Sequence, residues 1–166
     1  MPPPLTIRPA TDSDHGLLVD LFHAIEVHYC GSAAPARDAV SAHVMHDILP
    51  SGCEILIAER DGAAVGLITF AVLYPAPGLG GQLVMKDLFV VDSARGQGLG
   101  RVMLAHLARL AVARGCVRLD WTAETDNPGA LAFYDRVGAK RVTEKVYFRL
   151  DGAALKQMAD DDATSR

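Results

Sequence analysis

The chain is poor in the residues that define disulfide-stabilised secreted proteins. Its 166 residues include only 3 cysteines and 1 tryptophan, and aromatic residues make up 6% of the total. Cys30, Cys53 and Cys116 are far apart and odd in number, so they do not form a disulfide framework. We therefore expect unpaired cysteines and a cytoplasmic protein.

Long hydrophobic runs and a strong charge of one sign are also missing. The longest apolar stretch, Ala63 to Tyr74, is too short to span a bilayer. Met1 to Pro4 has no cationic segment followed by an apolar run, so it is not read as a secretory signal. The formal net charge of −4 lacks the basic excess typical of nucleic-acid-binding proteins. These absences predict a globular domain with neither a membrane nor a nucleic acid as its partner.

Local patterns predict an alternation of strands and helices without an internal repeat. Strands are expected over 5–9, 53–60, 63–74, 82–91, 117–123, 140–143 and 146–150, and helices over about 11–29, 37–49, 99–114 and 127–137. Asp61-Gly62 is a strong hairpin signal, and Pro50 is expected to end the second helix. The fold class is therefore α/β, with a mixed sheet of about seven strands, flanking helices and a central parallel βαβ unit.

A glycine-rich turn between a predicted strand and a predicted helix is the most informative segment. It reads Arg95-Gly96-Gln97-Gly98-Leu99-Gly100-Arg101. Glycines allow the main chain to approach a ligand closely, and the N–H groups at a helix start converge on anions. The helix dipole and the flanking arginines add positive charge. The segment therefore predicts a binding site for a phosphate or pyrophosphate.

Two common phosphate-binding folds fit this turn poorly. A dinucleotide-binding turn needs a third glycine where Arg101 stands, although Asp120 lies where an acid would contact the ribose. Three predicted strands also precede the strand that leads into the turn, and a tight hairpin joins two of them. A P-loop is excluded because no Gly-Lys-Ser/Thr follows.

Residues 90–100 resemble the acyl-CoA motif of the GNAT superfamily of N-acetyltransferases, Arg/Gln-x-x-Gly-x-Gly/Ala, through Arg95, Gly98 and Gly100. Residues 127–139 resemble the family's second motif, and residues 7–14 resemble its opening. The resemblance implies a tail over 1–4, an N-acetyltransferase domain over 5–150, and a short C-terminal helix with an acidic tail over 151–166.

Within the superfamily, the chain is most similar to the diamine (spermidine/spermine) acetyltransferase-like group. Residues 86–91 and 147–150 carry this likeness. The diamine enzymes place a glutamate immediately before the strand aspartate, whereas this chain has Lys86 before Asp87. This departure puts polyamine specificity in doubt.

The resemblance implies that acetyl-CoA is the co-substrate and that main-chain groups hold much of it. Main-chain groups of the strand, splayed by a bulge, would meet the pantetheine arm and the developing oxyanion, and the glycine turn would bind the pyrophosphate. The cofactor-binding residues implied are Leu88, Phe89, Val90, Arg95, Gly96, Gln97, Gly98, Leu99, Gly100, Arg101, Asn127, Ala130 and Tyr134.

Acetyl transfer to an amine requires proton transfers that side chains can assist. An alkylamine of pKa about 10 is only about one part in a thousand neutral at pH 7, so a base or a water relay lowers the barrier. Asp87 on the strand is the predicted base, with Glu26, His28 and Tyr29 at the end of the first helix, or a water relay, as the alternatives. Tyr134 is the predicted acid that protonates the leaving thiolate. Glu26, His28, Tyr29 and Lys86 are implied to border the acceptor. Structural alternatives stay open: an ion pair for Asp87, and a packed ring beside Phe133 for Tyr134.

The sequence thus predicts an acetyl-CoA-dependent N-acetyltransferase acting on a primary amine of a small molecule that is amino-acid-like or polyamine-like. A protein or peptide N-acetyltransferase and a non-catalytic acyl-CoA-binding module are the alternatives. The resemblance also implies a homodimer. No metal is predicted, because the His43/His46 pair lacks a complete ligand set nearby.

Overall fold

The computed structural model describes residues 4–161, and the chain divides into two compact units, one ending at Glu124 and the other beginning at Thr125. The helices and strands of the first unit are β1 (Thr6–Pro9), α1 (His15–Cys30), α2 (Arg37–His43), β2 (Glu54–Arg60), β3 (Ala63–Ala76), β4 (Gly80–Val90), α3 (Leu99–Ala113) and β5 (Cys116–Asp120). Those of the second unit are α4 (Pro128–Arg136) and α5 (Gly152–Asp161).

The strands of the first unit form one sheet in the order β1-β2-β3-β4-β5. The first three pairings are antiparallel, and β4 and β5 are parallel with α3 as the crossover. This arrangement confirms the α/β class and the central parallel βαβ unit. The prediction of about seven strands is wrong, because the sheet in the described residues has 5.

The two missing strands are those predicted over 140–143 and 146–150. Residues 139–151 form neither helix nor strand, and Val146, Tyr147 and Phe148 are 73%, 73% and 87% exposed. An alternating apolar pattern predicts extended backbone, but a strand also needs a neighbour with which to pair. Within the described part of this chain, no strand pairs with this segment.

Smaller differences occur where an element ends. The second helix was expected over 37–49, but α2 stops at His43 and continues as a π-helical turn over 44–48 and a 3-10 turn over 49–51. Pro50 lacks the N–H that would extend the α-helical ladder. The strands β3 and β4 extend into the loop predicted over 75–81, and β5 ends at Asp120 rather than at 123.

Apolar side chains are buried on both faces of the sheet. Ile57, Leu67 and Phe89 pack with α1 and α2 on one face. Successive strand residues point to opposite faces, so Gly66 faces the other way. A Cβ atom at Gly66 would lie 3.1 Å from the Met103 Cε of α3 and 2.4 Å from the Phe89 carbonyl oxygen. Helix α3 therefore covers the second face, and glycine allows its close approach.

Asp14 connects the start of α1 to the sheet. Its carboxylate accepts hydrogen bonds of 2.8 Å from both terminal nitrogens of Arg8 and one of 2.7 Å from the Thr11 N–H, while Arg8 also pairs with Glu59. The Arg8 guanidinium holds the pKa of Asp14 well below its ordinary value. The Thr11/Asp14 pairing is the capping arrangement that the sequence predicts.

We expect Asp14→Asn to lower the free energy of unfolding at pH 7 by about 2 kcal/mol, because it removes a buried charged partner of Arg8. A carboxylate whose folded pKa is depressed stabilises the fold above its unfolded pKa of about 4, and this contribution is lost as the pH falls. The difference in urea denaturation between wild type and variant should therefore shrink below about pH 4. Asp12→Asn, at an exposed position in the same turn, is the control. A difference that is constant with pH would contradict this role.

Candidate functional site

Strand β4 contains a β-bulge at Lys86. Met85 is opposite Phe70 and Asp87 is opposite Thr69, so Lys86 is one extra residue between two consecutive partners on β3. A bulge bends its strand and redirects the neighbouring side chains. Lys86 is exposed, whereas Asp87 is partly buried.

Pairing between β4 and β5 ends just before this bulge. The parallel pairing runs from Gly81 with Cys116 to Val84 with Asp120, where β5 ends, while β4 continues to Val90. Over residues 85–90, β4 is paired with β3 alone among the strands that the structure describes. Main-chain groups at its other edge, in the stretch that includes Leu88, Phe89 and Val90, therefore have no strand partner and are suited to bind a ligand.

A side-chain network lies where the two strands separate. The Gln82 Nε2 donates to Asp120 Oδ2 over 2.8 Å, and the Arg118 Nη2 donates to Gln82 Oε1 over 2.6 Å. The Arg118 Nε lies 2.9 Å from the same Asp120 oxygen. Asp120, which the dinucleotide reading would assign to a ribose, is thus engaged in holding β4 against β5.

The glycine turn follows β4 directly and leads into α3. Gly96 and Gly98 both have a φ of 76°, in the left-handed region that favours glycine. A Cβ atom on either residue would meet no protein atom within 4 Å, so the space beside them is open.

The start of α3 has no side-chain cap. Gly98 occupies the N-cap position, and its carbonyl accepts the N–H groups of Arg101 and Val102. Glycine cannot cap the Leu99 and Gly100 N–H groups at the first helical positions, which a helix leaves without internal partners. Uncapped N–H groups beside open space suit a phosphate oxygen. The turn therefore fits a pyrophosphate group.

Other side chains hold the turn in place. The Gln97 side chain donates to the Ser93 carbonyl oxygen over 3.3 Å and accepts a hydrogen bond from Arg60 Nη1. Arg60 was not predicted, because it lies at the end of β2, far from the turn in sequence. Arg101 is exposed in the first turn of α3.

Asp87 lies on the face of the sheet that packs against α1 and α2, two residues before Phe89. Its carboxylate accepts a hydrogen bond from the hydroxyl of Thr69, which is 2% exposed. Among the residues described, Asp87 forms no ion pair with Lys86 or an arginine, the structural alternative raised by the sequence. Thr69 was not predicted as a site residue. Its hydroxyl, in a stretch of mostly apolar strand residues, was the sequence signal that pointed to it.

Cys53 lies within the electrostatic field of Asp87. Burial raises the pKa of the Cys53 thiol, and the negative charges of Asp87 and Glu54 raise it further. The thiol therefore stays protonated near neutral pH, which makes it a poor nucleophile.

The end of α1 lies over the same part of β4. The His28 ring centroid is 6.2 Å from that of Phe89 and 5.2 Å from that of Tyr29, which is 71% exposed. Glu26 lies one turn before Cys30 and accepts a 3.8 Å hydrogen bond from the Cys30 thiol. The structure thus brings His28 against the strand that carries Asp87, from a distant part of the sequence.

The second unit contains the remaining predicted residues. Asn127 caps α4 by accepting a 3.0 Å hydrogen bond from the Ala130 N–H, and Pro128 is the first helical residue, as the sequence predicts. Tyr134 is half-buried, with its ring centroid 5.0 Å from that of Phe133. Roles of Asn127, Ala130 and Tyr134 toward a cofactor stay predictions.

No helix within residues 4–161 is both long enough and apolar enough to cross a bilayer.

A family profile described as the acetyltransferase (GNAT) family matches residues 22–139. The match includes the bulged strand, the glycine turn and α4.

Two curated proteins are similar to part of the chain. A thialysine N-epsilon-acetyltransferase of Caenorhabditis elegans is 38% identical over 86 residues, which cover 50% of this chain and 54% of that protein. The L-ornithine N5-acetyltransferase NATA1 of Arabidopsis thaliana is 30% identical over 97 residues, covering 58% of this chain and 42% of that protein. The chain thus matches only about half the length of these relatives.

A solved structure is similar over nearly the whole chain. An integron cassette protein from the mobile metagenome of V. cholerae superposes with a TM-score of 0.89 and 37% sequence identity. The match covers 93% of this chain and 97% of that protein.

Proposed function

Because the chain belongs to the GNAT family of acetyltransferases, we propose that it transfers an acetyl group from acetyl-CoA to a primary amine of a small, amino-acid-like molecule. The observation that carries this proposal is the unpaired edge of β4, which continues directly into the uncapped glycine turn. One stretch of main chain can therefore bind both a pantetheine arm and a pyrophosphate. Two relatives are named for thialysine and L-ornithine, which are amino acids with a second amine.

The proposed donor site uses the main chain from Leu88 to Val90 and the N–H groups around Gly98. A strand edge pairs with an amide-containing chain much as it pairs with another strand. Its N–H groups also stabilise negative charge that develops on a carbonyl oxygen. When bound, acetyl-CoA supplies an activated thioester. We place Asn127 and Ala130 at the pantetheine in this proposal.

The proposed acceptor site lies on the α1 and α2 face of β4. Asp87 accepts the amine proton, directly or through water, and its hydrogen bond from Thr69 fixes the orientation of the carboxylate. The neutral amine nitrogen then forms a bond to the acetyl carbon, and as the carbon–sulfur bond breaks the nitrogen releases its second proton to water. Tyr134 donates its phenol proton to the leaving sulfur. Glu26, His28 and Tyr29 border the acceptor.

Release of free CoA tests the function. The full chain with acetyl-CoA should release CoA with L-ornithine, L-lysine or related amino acids that carry a side-chain amine. Turnover with peptides alone would favour the peptide N-acetyltransferase. Tight binding of acetyl-CoA without turnover on any amine would favour the non-catalytic module.

Lys86 is proposed to favour acceptors that carry a carboxylate. It is exposed beside Asp87 at the bulge, where a lysine ammonium attracts a carboxylate and repels a second ammonium. Like charges a few ångströms apart in a partly desolvated cleft cost about 1–4 kcal/mol. L-ornithine and 1,4-diaminobutane differ only in the carboxylate, so they form a matched pair of acceptors.

We expect Lys86→Glu to raise the ratio of kcat/KM for 1,4-diaminobutane over L-ornithine by about tenfold or more. Lys86→Met, which removes the charge without reversing it, should give an intermediate ratio. Steady-state kinetics with both acceptors measures the effect. An unchanged ratio in Lys86→Glu, or a wild type that prefers the diamine, would contradict this role.

A homodimer and a cytoplasmic location are part of the same proposal. The segment over 139–151 exposes apolar side chains, including Val146, Tyr147 and Phe148, and a second copy is the proposed cover for them. Sedimentation velocity of the full chain tests the dimer. Cys30, Cys53 and Cys116 form no disulfide, which supports a reducing compartment.

A further inference from the structure

Arg95 belongs to the glycine turn, and its side chain contacts the end of β4 and the short turn that directly follows the strand. Its Nε donates to the Val90 carbonyl oxygen over 2.9 Å, and its Nη1 lies 2.8 Å from Asp92 Oδ1. The guanidinium carbon is 5.6 Å from the centroid of the Phe89 ring, a cation–π distance. These contacts connect the last two strand residues to the turn.

The guanidinium and α3 lie on opposite faces of the sheet. Phe89 pairs with Leu67, and both pack in the core cluster of α1 and α2. Gly66, one residue before Leu67, faces Met103 of α3. The cation stacked on Phe89 is therefore on the other side of the sheet from the helix whose N-terminal N–H groups are open to an anion.

Phe89 has a second neighbour on the same face. The His28 ring of α1 lies 6.2 Å from it, between centroids. Movement of the Phe89 ring would therefore displace groups at the proposed acceptor site as well as at the strand edge. An arginine that holds this ring and the Val90 carbonyl restricts both the position of the thioester and the position of the amine.

We propose that Arg95 is a positioning residue that fixes the end of β4 and its glycine turn, rather than a ligand of the cofactor phosphates. This inference rests on the proposed function. Arg101 provides the comparison, because it is exposed in the first turn of α3 and its side chain forms no ion pair within the described residues. Arg101 is the arginine of the turn that is available to a phosphate.

Two acetyl donors separate the two roles. S-acetyl-pantetheine has the same thioester as acetyl-CoA but lacks the nucleotide and its phosphates. We expect Arg95→Met to lower kcat by about tenfold with both donors, because misplacement of the thioester affects each alike. Arg101→Met should raise the KM for acetyl-CoA and leave the kinetics with S-acetyl-pantetheine unchanged.

Arg95→Lys gives a second readout. The lysine keeps the positive charge, so it would preserve activity if that charge contacted a phosphate. An ammonium cannot reproduce the forked contact of the guanidinium with Val90 and Asp92. We expect Arg95→Lys to behave like Arg95→Met. Thermal unfolding of each variant should stay close to wild type. A loss with acetyl-CoA alone, or full activity in Arg95→Lys, would overturn the assignment.

Calorimetric titration with CoA gives the same distinction without turnover. The ratio of CoA affinities between wild type and Arg95→Met should be independent of salt between about 0.05 and 0.5 M. If Arg95 paired with a phosphate, that ratio would be largest at low salt and would shrink as salt rises. A salt-dependent loss would contradict the inference. A wild type that binds CoA but acetylates no amine would contradict only the proposed function.

Discussion

Gly98→Val is expected to abolish measurable binding of acetyl-CoA. Gly98 sits at the N-cap of α3 with a φ of 76°, and the space beside its missing Cβ is open. A branched side chain would fill the space proposed for the pyrophosphate and move the N–H groups that follow. Loss of a charge-assisted site of several hydrogen bonds removes most of the binding free energy. Gly100→Val should have the same effect, and isothermal calorimetry measures both.

Gly115→Val is the matched control. Gly115 follows α3 at its other end, has a φ of 70° and has no protein atom within 4 Å of a Cβ position. A valine there suffers the same backbone strain without entering the proposed site. Equal loss of affinity in Gly98→Val and Gly115→Val would show that strain is the cause, and unchanged affinity in Gly98→Val would exclude a pyrophosphate at the turn.

Tyr134→Phe is expected to lower kcat by about ten- to a thousandfold with little change in the affinity for acetyl-CoA. The ring keeps its packing beside Phe133, and only the hydroxyl is lost. The leaving thiolate, whose conjugate thiol has a pKa of about 8.5, receives a proton from a phenol of pKa about 10. The transfer accompanies cleavage of the carbon–sulfur bond, so the hydroxyl matters chiefly in the transition state. The effect should therefore appear in kcat and not in binding.

Tyr74→Phe removes a phenol hydroxyl from an exposed ring elsewhere in the chain, and it should leave kcat unchanged. Presteady-state kinetics establishes that acetyl transfer limits the rate before the variants are compared. Full turnover of Tyr134→Phe under those conditions would mean that water supplies the proton and that Tyr134 has a packing role.

Local sequence signals predicted the first unit well because its pairings are mostly between neighbours in the chain. The Asp61-Gly62 turn joins β2 to β3, and the parallel β4–α3–β5 unit follows from a strand, a glycine turn and an amphipathic helix. The segment over 139–151 was predicted as two strands from its alternation. Pairing is a property of two segments, so a pattern in one of them cannot establish it.

The glycine turn was predicted because a binding site made of main chain requires residues without side chains, and such glycines are visible in the sequence. The residues themselves do not mark the bulge at Lys86, since it arises from the register between β4 and β3, and only the family resemblance implied a bulge in this strand. The hydrogen bond from Thr69 to Asp87 depends on that register and was missed for the same reason. Arg95 was expected near the phosphates from its motif, whereas its contacts with Phe89 and Val90 depend on the folded strand and turn.

The proposed donor and acceptor sites use different parts of the same strand, β4. The donor meets the edge of the strand, which is main chain and is chemically the same for every residue except proline. The acceptor meets a face of the strand, which is made of side chains such as that of Asp87. A substitution on the face therefore leaves the edge intact. An enzyme constructed in this way can acquire a new acceptor by single mutations while it keeps its donor, so divergence of acceptor specificity within such a lineage does not require the cofactor site to be rebuilt.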